Sequence, residues 1–110
     1  MKKHQLGGFE EIVLLAVGIL HGNAYTVTLK DEIENRLRRE VSIGSLQVTL
    51  RRLEAKGFLK STQGEPDEGR RGRPRLYFEL TAYGKKAIIH TRESRDEFWK
   101  ALPKVALGLD

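Results

Sequence analysis

Residues 42–83 run from a capped amphipathic helix into a short strand, an arginine- and glycine-rich loop and a second strand. This order constrains the chain more than any other feature, because a helix leading straight into a β-hairpin must hold that hairpin beside its own C-terminal end. Ser42 is of the residue type whose side chain accepts a hydrogen bond from the free N–H groups at a helix start. Ile43, Leu46, Leu50 and Leu53 follow at spacings of three, four and three, which predicts one buried face. Gly57 suits the left-handed position past the last turn, and Lys56 beside it complements the negative end of the helix dipole. Ser45, Gln47, Val48, Thr49, Arg51, Arg52 and Glu54 lie off the buried stripe.

The first strand is predicted over 58–62. The segment 63–74 contains Gly64, Pro66, Gly69, Gly72 and Pro74 and is expected to hold no regular element. In the returning strand, over 75–80, Leu76, Phe78 and Leu80 alternate inward, while Arg75, Tyr77 and Glu79 alternate outward. Thr81 is placed to cap a last helix over 82–102, ended by Pro103 and followed by a frayed tail. Upstream, Phe9, Ile12, Val13, Ala16, Ile19 and Leu20 predict a helix over 9–20 that is apolar around much of its circumference. It is either a central core helix of a monomer or a helix held between the core and a second subunit. A second helix over 27–39 carries the stripe Leu29, Ile33 and Leu37, with Thr26 or Thr28 as its cap and Asp31 three residues after Thr28.

The expected fold is therefore mainly α with a small antiparallel β-hairpin. It is a winged helix-turn-helix over 1–83, followed by a C-terminal dimerisation helix and tail over 84–110. With 110 residues, 39% hydrophobic and 32% charged, the chain can build one modest core and is too apolar to stay disordered.

Several chemistries are excluded at this level. The absence of cysteine removes disulfides and thiolate chemistry. His4, His21 and His90 are far apart and lack metal-ligand spacing, so no metal is expected. The neighbouring carboxylates Glu10-Glu11 and Asp31-Glu32 point in different directions on a helix. Gly69-Arg70-Arg71-Gly72 lacks the Lys-Ser/Thr ending of a phosphate-binding P-loop. Neither an enzyme nor a cofactor is expected. The apolar run 12–20 abuts Glu10 and Glu11 and falls short of the ~20 residues a membrane span needs, so no membrane partner is expected and the cytoplasm is the expected location.

What remains is a surplus of positive charge, +5 overall, with arginines on both the helix and the loop. Guanidinium groups suit phosphate oxygens, and amide and hydroxyl side chains suit base edges. The residues expected to meet double-stranded DNA are Ser45, Gln47, Thr49, Arg51 and Arg52 on the helix and Arg70, Arg71 and Arg73 in the loop. Phe98, Trp99 and Leu102 are expected to anchor a partner subunit, or to contact a small apolar or aromatic effector. Two other readings fit the same residues: a primary small-molecule sensor centred on Trp99, and a winged-helix module acting on protein or RNA.

The chain resembles the PadR family of winged helix-turn-helix transcriptional regulators. The matching residues are Leu20-His21-Gly22, Gly44-Ser45-Leu46, Leu50-Arg51-Arg52-Leu53-Glu54, Lys56-Gly57-Phe58-Leu59 and the wing-closing run Gly72-Arg73-Pro74-Arg75-Leu76-Tyr77-Phe78-Glu79-Leu80-Thr81-Ala82-Tyr83-Gly84. The resemblance implies a homodimer built through the first and last helices, usually a repressor, in the short form with one C-terminal helix. Two departures stand out. Gln47-Val48 replace the family's Tyr-Pro, so the base preference is expected to differ, with Gln47 suited to adenine. Asn23-Ala24 intervene between His21-Gly22 and Tyr25, which is expected to lengthen a turn without disturbing the domain.

Overall fold

Three helices and a two-stranded hairpin enclose one apolar core, and a fourth helix runs out from it. The computed structural model describes residues 5–66 and 74–109. In order, the elements are α1 (Gly8–Ile19), α2 (Thr26–Leu37), α3 (Ile43–Ala55), β1 (Leu59–Pro66), β2 (Pro74–Leu80) and α4 (Ala82–Ala101), then a 3-10 helix at Lys104–Leu107. The strands pair antiparallel, with Leu59 opposite Leu80, Ser61 opposite Phe78 and Gln63 opposite Leu76. The expected mainly helical winged helix-turn-helix is the observed fold.

The core is drawn from each of the first five elements. Val13, Leu14 and Val17 of α1, Leu29 and Ile33 of α2, and Leu46, Leu50 and Leu53 of α3 meet Phe58, Leu59 and Phe78. A Leu-to-Ala change at any of these fully buried leucines removes a tightly packed side chain, a loss of about 2–5 kcal/mol. Only the first half of α4 joins the core, through Ala87 and Ile88. Its start is fixed tightly. Thr81 Oγ1 accepts from the Gly84 N–H at 3.0 Å and donates to the Gly57 carbonyl at 2.6 Å, while Tyr83 stacks on Phe58 with ring centres 4.8 Å apart. A Cβ on Gly84 would lie 2.1 Å from the Phe58 carbonyl oxygen, so only glycine allows this approach.

Several local expectations are corrected. β1 extends to Pro66, so residues 63–66 belong to a strand, because pairing with β2 continues past Gln63 through an irregularity. α2 ends at Leu37, two residues early, because Arg38 adopts a left-handed conformation (φ 56°) and its N–H closes the last turn on Glu34. Neither Thr26 nor Thr28 is the cap of α2: Tyr25 is, and Thr28 reaches back to accept from its N–H at 3.0 Å. Ile19, Ile43 and Leu76 are exposed rather than buried, whereas Leu14 is wholly enclosed. The tail forms a 3-10 turn closed by Gly108 instead of fraying.

Candidate nucleic-acid interface

α3 carries the centre of the candidate interface. Ser42 caps it as expected, its Oγ accepting from the Ser45 N–H at 3.2 Å. Burial of Leu46, Leu50 and Leu53 turns Ser45, Gln47, Val48, Arg51 and Arg52 outward together. These are donors, acceptors and cations on one exposed helical face, the equipment for base edges and phosphates. Thr49 departs from the expectation: it is 6% exposed and lies beneath the outward residues. Arg70, Arg71 and Arg73 lie outside the described residues.

The turn that sets the angle of α3 is clamped by Glu34. Its carboxylate accepts from the Val41 N–H at 2.7 Å and from Lys30 at 2.9 Å. The Lys30 hydrogen bond and the Val41 N–H together hold the Glu34 carboxyl below the ordinary value, against the opposing effect of burial. One side chain of α2 thereby fixes the backbone just ahead of the Ser42 cap.

The wing root is pinned from the opposite side. The Phe78 N–H donates to the Ala24 carbonyl at 2.8 Å, so the turn after α1 lies along the free edge of β2. Ala24 is fully buried, which gives the Asn23-Ala24 extension a structural role. Tyr25 meets Tyr77 edge to face at 5.4 Å, and the Arg75 guanidinium sits over the Tyr25 ring at 4.4 Å. Arg75, expected to project outward, instead ties β2 to the start of α2 through a cation–π contact.

A buried carboxylate closes the far side of α3. Glu10 is 8% exposed. Its Oε1 accepts from the Gly7 N–H at 2.9 Å; its Oε2 accepts from Lys56 at 3.1 Å and lies 4.0 Å from Arg52. Burial pushes the Glu10 carboxyl up, but the Gly7 hydrogen bond and the two cations outweigh it and hold it below the ordinary value. These groups border an open cleft of about 870 Å³ between the start of α1 and the face of α3, lined also by Ser45, Val48 and Thr49. Glu10 was legible in the sequence only as a residue three positions after Gly7, the spacing of a helix-start cap. Its partners, forty-two and forty-six positions away, were not.

On α4, Phe98 is 81% and Trp99 64% exposed. With Ser94 and Arg95 they border a recess of about 380 Å³; Leu102, also exposed, lies outside it. Arg95 pairs with Glu11 at 3.0 Å, so the adjacent Glu10 and Glu11 do diverge, one to α3 and the other to α4. Among the described residues no group of His, Asp and Glu is placed to hold a metal ion, and no helix is long and apolar enough to cross a membrane.

A helix-turn-helix with a hairpin wing and an exposed polar, cationic second helix defines the winged helix-turn-helix class. Residues 14–90 match the PadR-like family of transcriptional regulators, and the chain belongs to that family. Among solved structures, a PadR-like transcription factor from Bacteroides fragilis is 26% identical, with 84% of each chain covered and a TM-score of 0.70. hsRosR, in the structure of its complex with S1, is 27% identical over 82% of this chain and 72% of that one, with a TM-score of 0.64. A PadR family transcriptional regulator from Eggerthella lenta DSM 2243 shares the fold at 21% identity, covering 86% of this chain and 80% of that one, with a TM-score of 0.69. No curated protein matches the chain.

Proposed function

We propose that this PadR-family regulator is a homodimeric repressor that reads a pseudo-palindromic operator. The outward face of α3 carries this reading: Ser45, Gln47, Arg51 and Arg52 are exposed together because Leu46, Leu50 and Leu53 are buried. Gln47 meets base edges, Arg51 and Arg52 meet flanking phosphates, and Thr49 braces the helix from below. Arg70, Arg71 and Arg73 of the wing add backbone or minor-groove contacts. Residues 1–83 form the DNA-binding part, and residues 84–110 supply the dimer helix and tail. Exposed apolar groups on α1 (Leu15, Ile19), on α4 (Ile89, Phe98, Trp99) and just past it (Leu102) favour a second copy as their cover. Two-fold symmetry then pairs two reading helices on two half-sites. Selection of bound fragments from a genomic DNA pool tests the reading. Recovery of a two-fold symmetric site, with repression of a reporter placed behind it, is the expected result. Recovery of no preferred DNA, with saturable binding to random RNA, sinks it.

A second role is favoured by the recess at Phe98 and Trp99, two exposed aromatic rings beside one another. It fits a flat apolar or aromatic effector. Quenching of Trp99 fluorescence by a planar compound that also releases DNA supports this role, and release of DNA by compounds that leave the fluorescence unchanged counts against it.

A further inference from the structure

We propose that Glu10 is a specificity-determining positioning residue for the α3 face: it offsets the charge of Lys56, which it holds by a hydrogen bond, and draws Arg52 toward one position, so that Arg52 meets DNA from that position and less of the charge acts blind to sequence. The inference rests on the DNA-binding reading above and adds a residue from outside the helix-turn-helix to it.

Capping α1 needs only one carboxylate oxygen, and Oε1 does that work with the Gly7 N–H. Oε2 is turned to the opposite side, onto Lys56 at 3.1 Å and toward Arg52 at 4.0 Å. A carboxylate this buried is costly to hold in the charged form unless it is paired, and the pairing falls on two residues at the end of the candidate reading helix. Arg52 remains 53% exposed at its side chain while Lys56 is 30% exposed. One edge of the guanidinium therefore lies beside the carboxylate, and the other is open to a phosphate.

Charge decides the direction of the effect. With Glu10 ionised, the trio of Glu10, Arg52 and Lys56 carries one net positive charge; without it, two. A free second cation strengthens attraction to any phosphate backbone and releases more counterions. It does nothing for one base sequence over another. Glu10 therefore lowers sequence-independent attraction and keeps Arg52 in one place, and both effects favour the operator over random DNA.

The test compares Glu10→Gln with the wild-type protein on two duplexes, the site recovered by selection and a random sequence, across a salt series. Gln keeps an acceptor for the Gly7 N–H, so α1 stays capped. The expected result is tighter binding to random DNA, a salt slope steeper by about one unit, and a selected-to-random affinity ratio reduced about fivefold. Lys56→Gln, which leaves the cap untouched, is the second variant. It leaves Glu10 with Arg52 alone, so affinity for random DNA falls while the ratio holds or rises. An unchanged ratio in Glu10→Gln overturns the proposal, as does an equal loss on both duplexes accompanied by a lower melting temperature, the sign of a purely structural role. A reduced ratio in Lys56→Gln also overturns it. A wild-type protein that binds neither duplex overturns the DNA-binding reading itself, and this proposal with it.

Discussion

Gly84 shows how one residue can join two elements. It lies in the first turn of α4, yet its missing side chain is needed by the backbone at Phe58, whose oxygen would sit 2.1 Å from a Cβ. Neither group is a flexible side chain, so the helix start or the strand start must move. Gly84→Ala is expected to destabilise the fold by about 2–3 kcal/mol, in the upper range for overpacking. Urea unfolding checks this: the midpoint should fall with little change in slope. Gln47 makes the opposite kind of contribution. It is exposed on the outer side of α3, so Gln47→Ala should leave stability nearly unchanged. Its loss should relax base preference at particular positions of the selected site by about 1–3 kcal/mol per base pair. Uniform weakening across all sequences would count against its reading role. The sequence revealed Gln47 as a surface helix residue in place of the family's Tyr, and it revealed Gly84 as the end of a family run. It held no trace of the contact that makes Gly84 necessary, because that contact is to backbone twenty-six positions away.

At the scale of elements, two carboxylates fix the angle of α3. Glu34 secures its entry by holding the Val41 N–H, and Glu10 secures its exit by holding Lys56. Both carboxyls lie below the ordinary value of 4.5 in the folded protein. The sign of the pH effect follows. Well above 4.5 both are ionised, folded or unfolded, and their contribution is fully present. As pH falls below 4.5, the unfolded chain takes up protons first, and stability declines until the folded groups protonate too. Stability measured by denaturant should therefore be level from about pH 7 to 5.5 and then fall, with these two groups steepening the acid limb. Glu10→Gln combined with Glu34→Gln should flatten that limb; an unchanged acid limb in the double variant removes these groups from the account. The wing is fixed differently, by the Phe78–Ala24 hydrogen bond and by Arg75 over Tyr25. Alternation placed Phe78 inward correctly. It placed Arg75 outward because a period of two knows nothing of a ring arriving from another segment.

For the whole molecule, the shape is elongated, 58 × 36 × 21 Å, because α4 continues past the core. A helix of 20 residues is about 30 Å long, and only its first half has a core to lie against. Its distal half exposes Phe98 and Trp99, with Leu102 exposed just past its end, while Arg95 ties it back to Glu11 of α1. The proposed dimer covers this surface. Light scattering at micromolar concentration should give twice the 12.5 kDa chain mass, and Phe98→Ser with Trp99→Ser should shift the protein toward one chain mass. The same double variant should bind a full site about as weakly as a half-site, because the second reading helix is no longer tethered. A stable wild-type monomer sinks the dimer.

The order of elements, the burial of Leu46, Leu50 and Leu53 on α3, the Ser42 and Thr81 caps and the family were determined by the sequence alone. Each depends on neighbours within a few positions, where helix and strand periods and capping chemistry act directly. Only the tertiary structure decided that Thr49 faces inward, that the Ala24 carbonyl meets the wing, and that Glu10 belongs to α3 as much as to its own helix. Those outcomes depend on which distant groups share one small volume. A buried charge or backbone group takes whatever partner that volume supplies, and no local period records it.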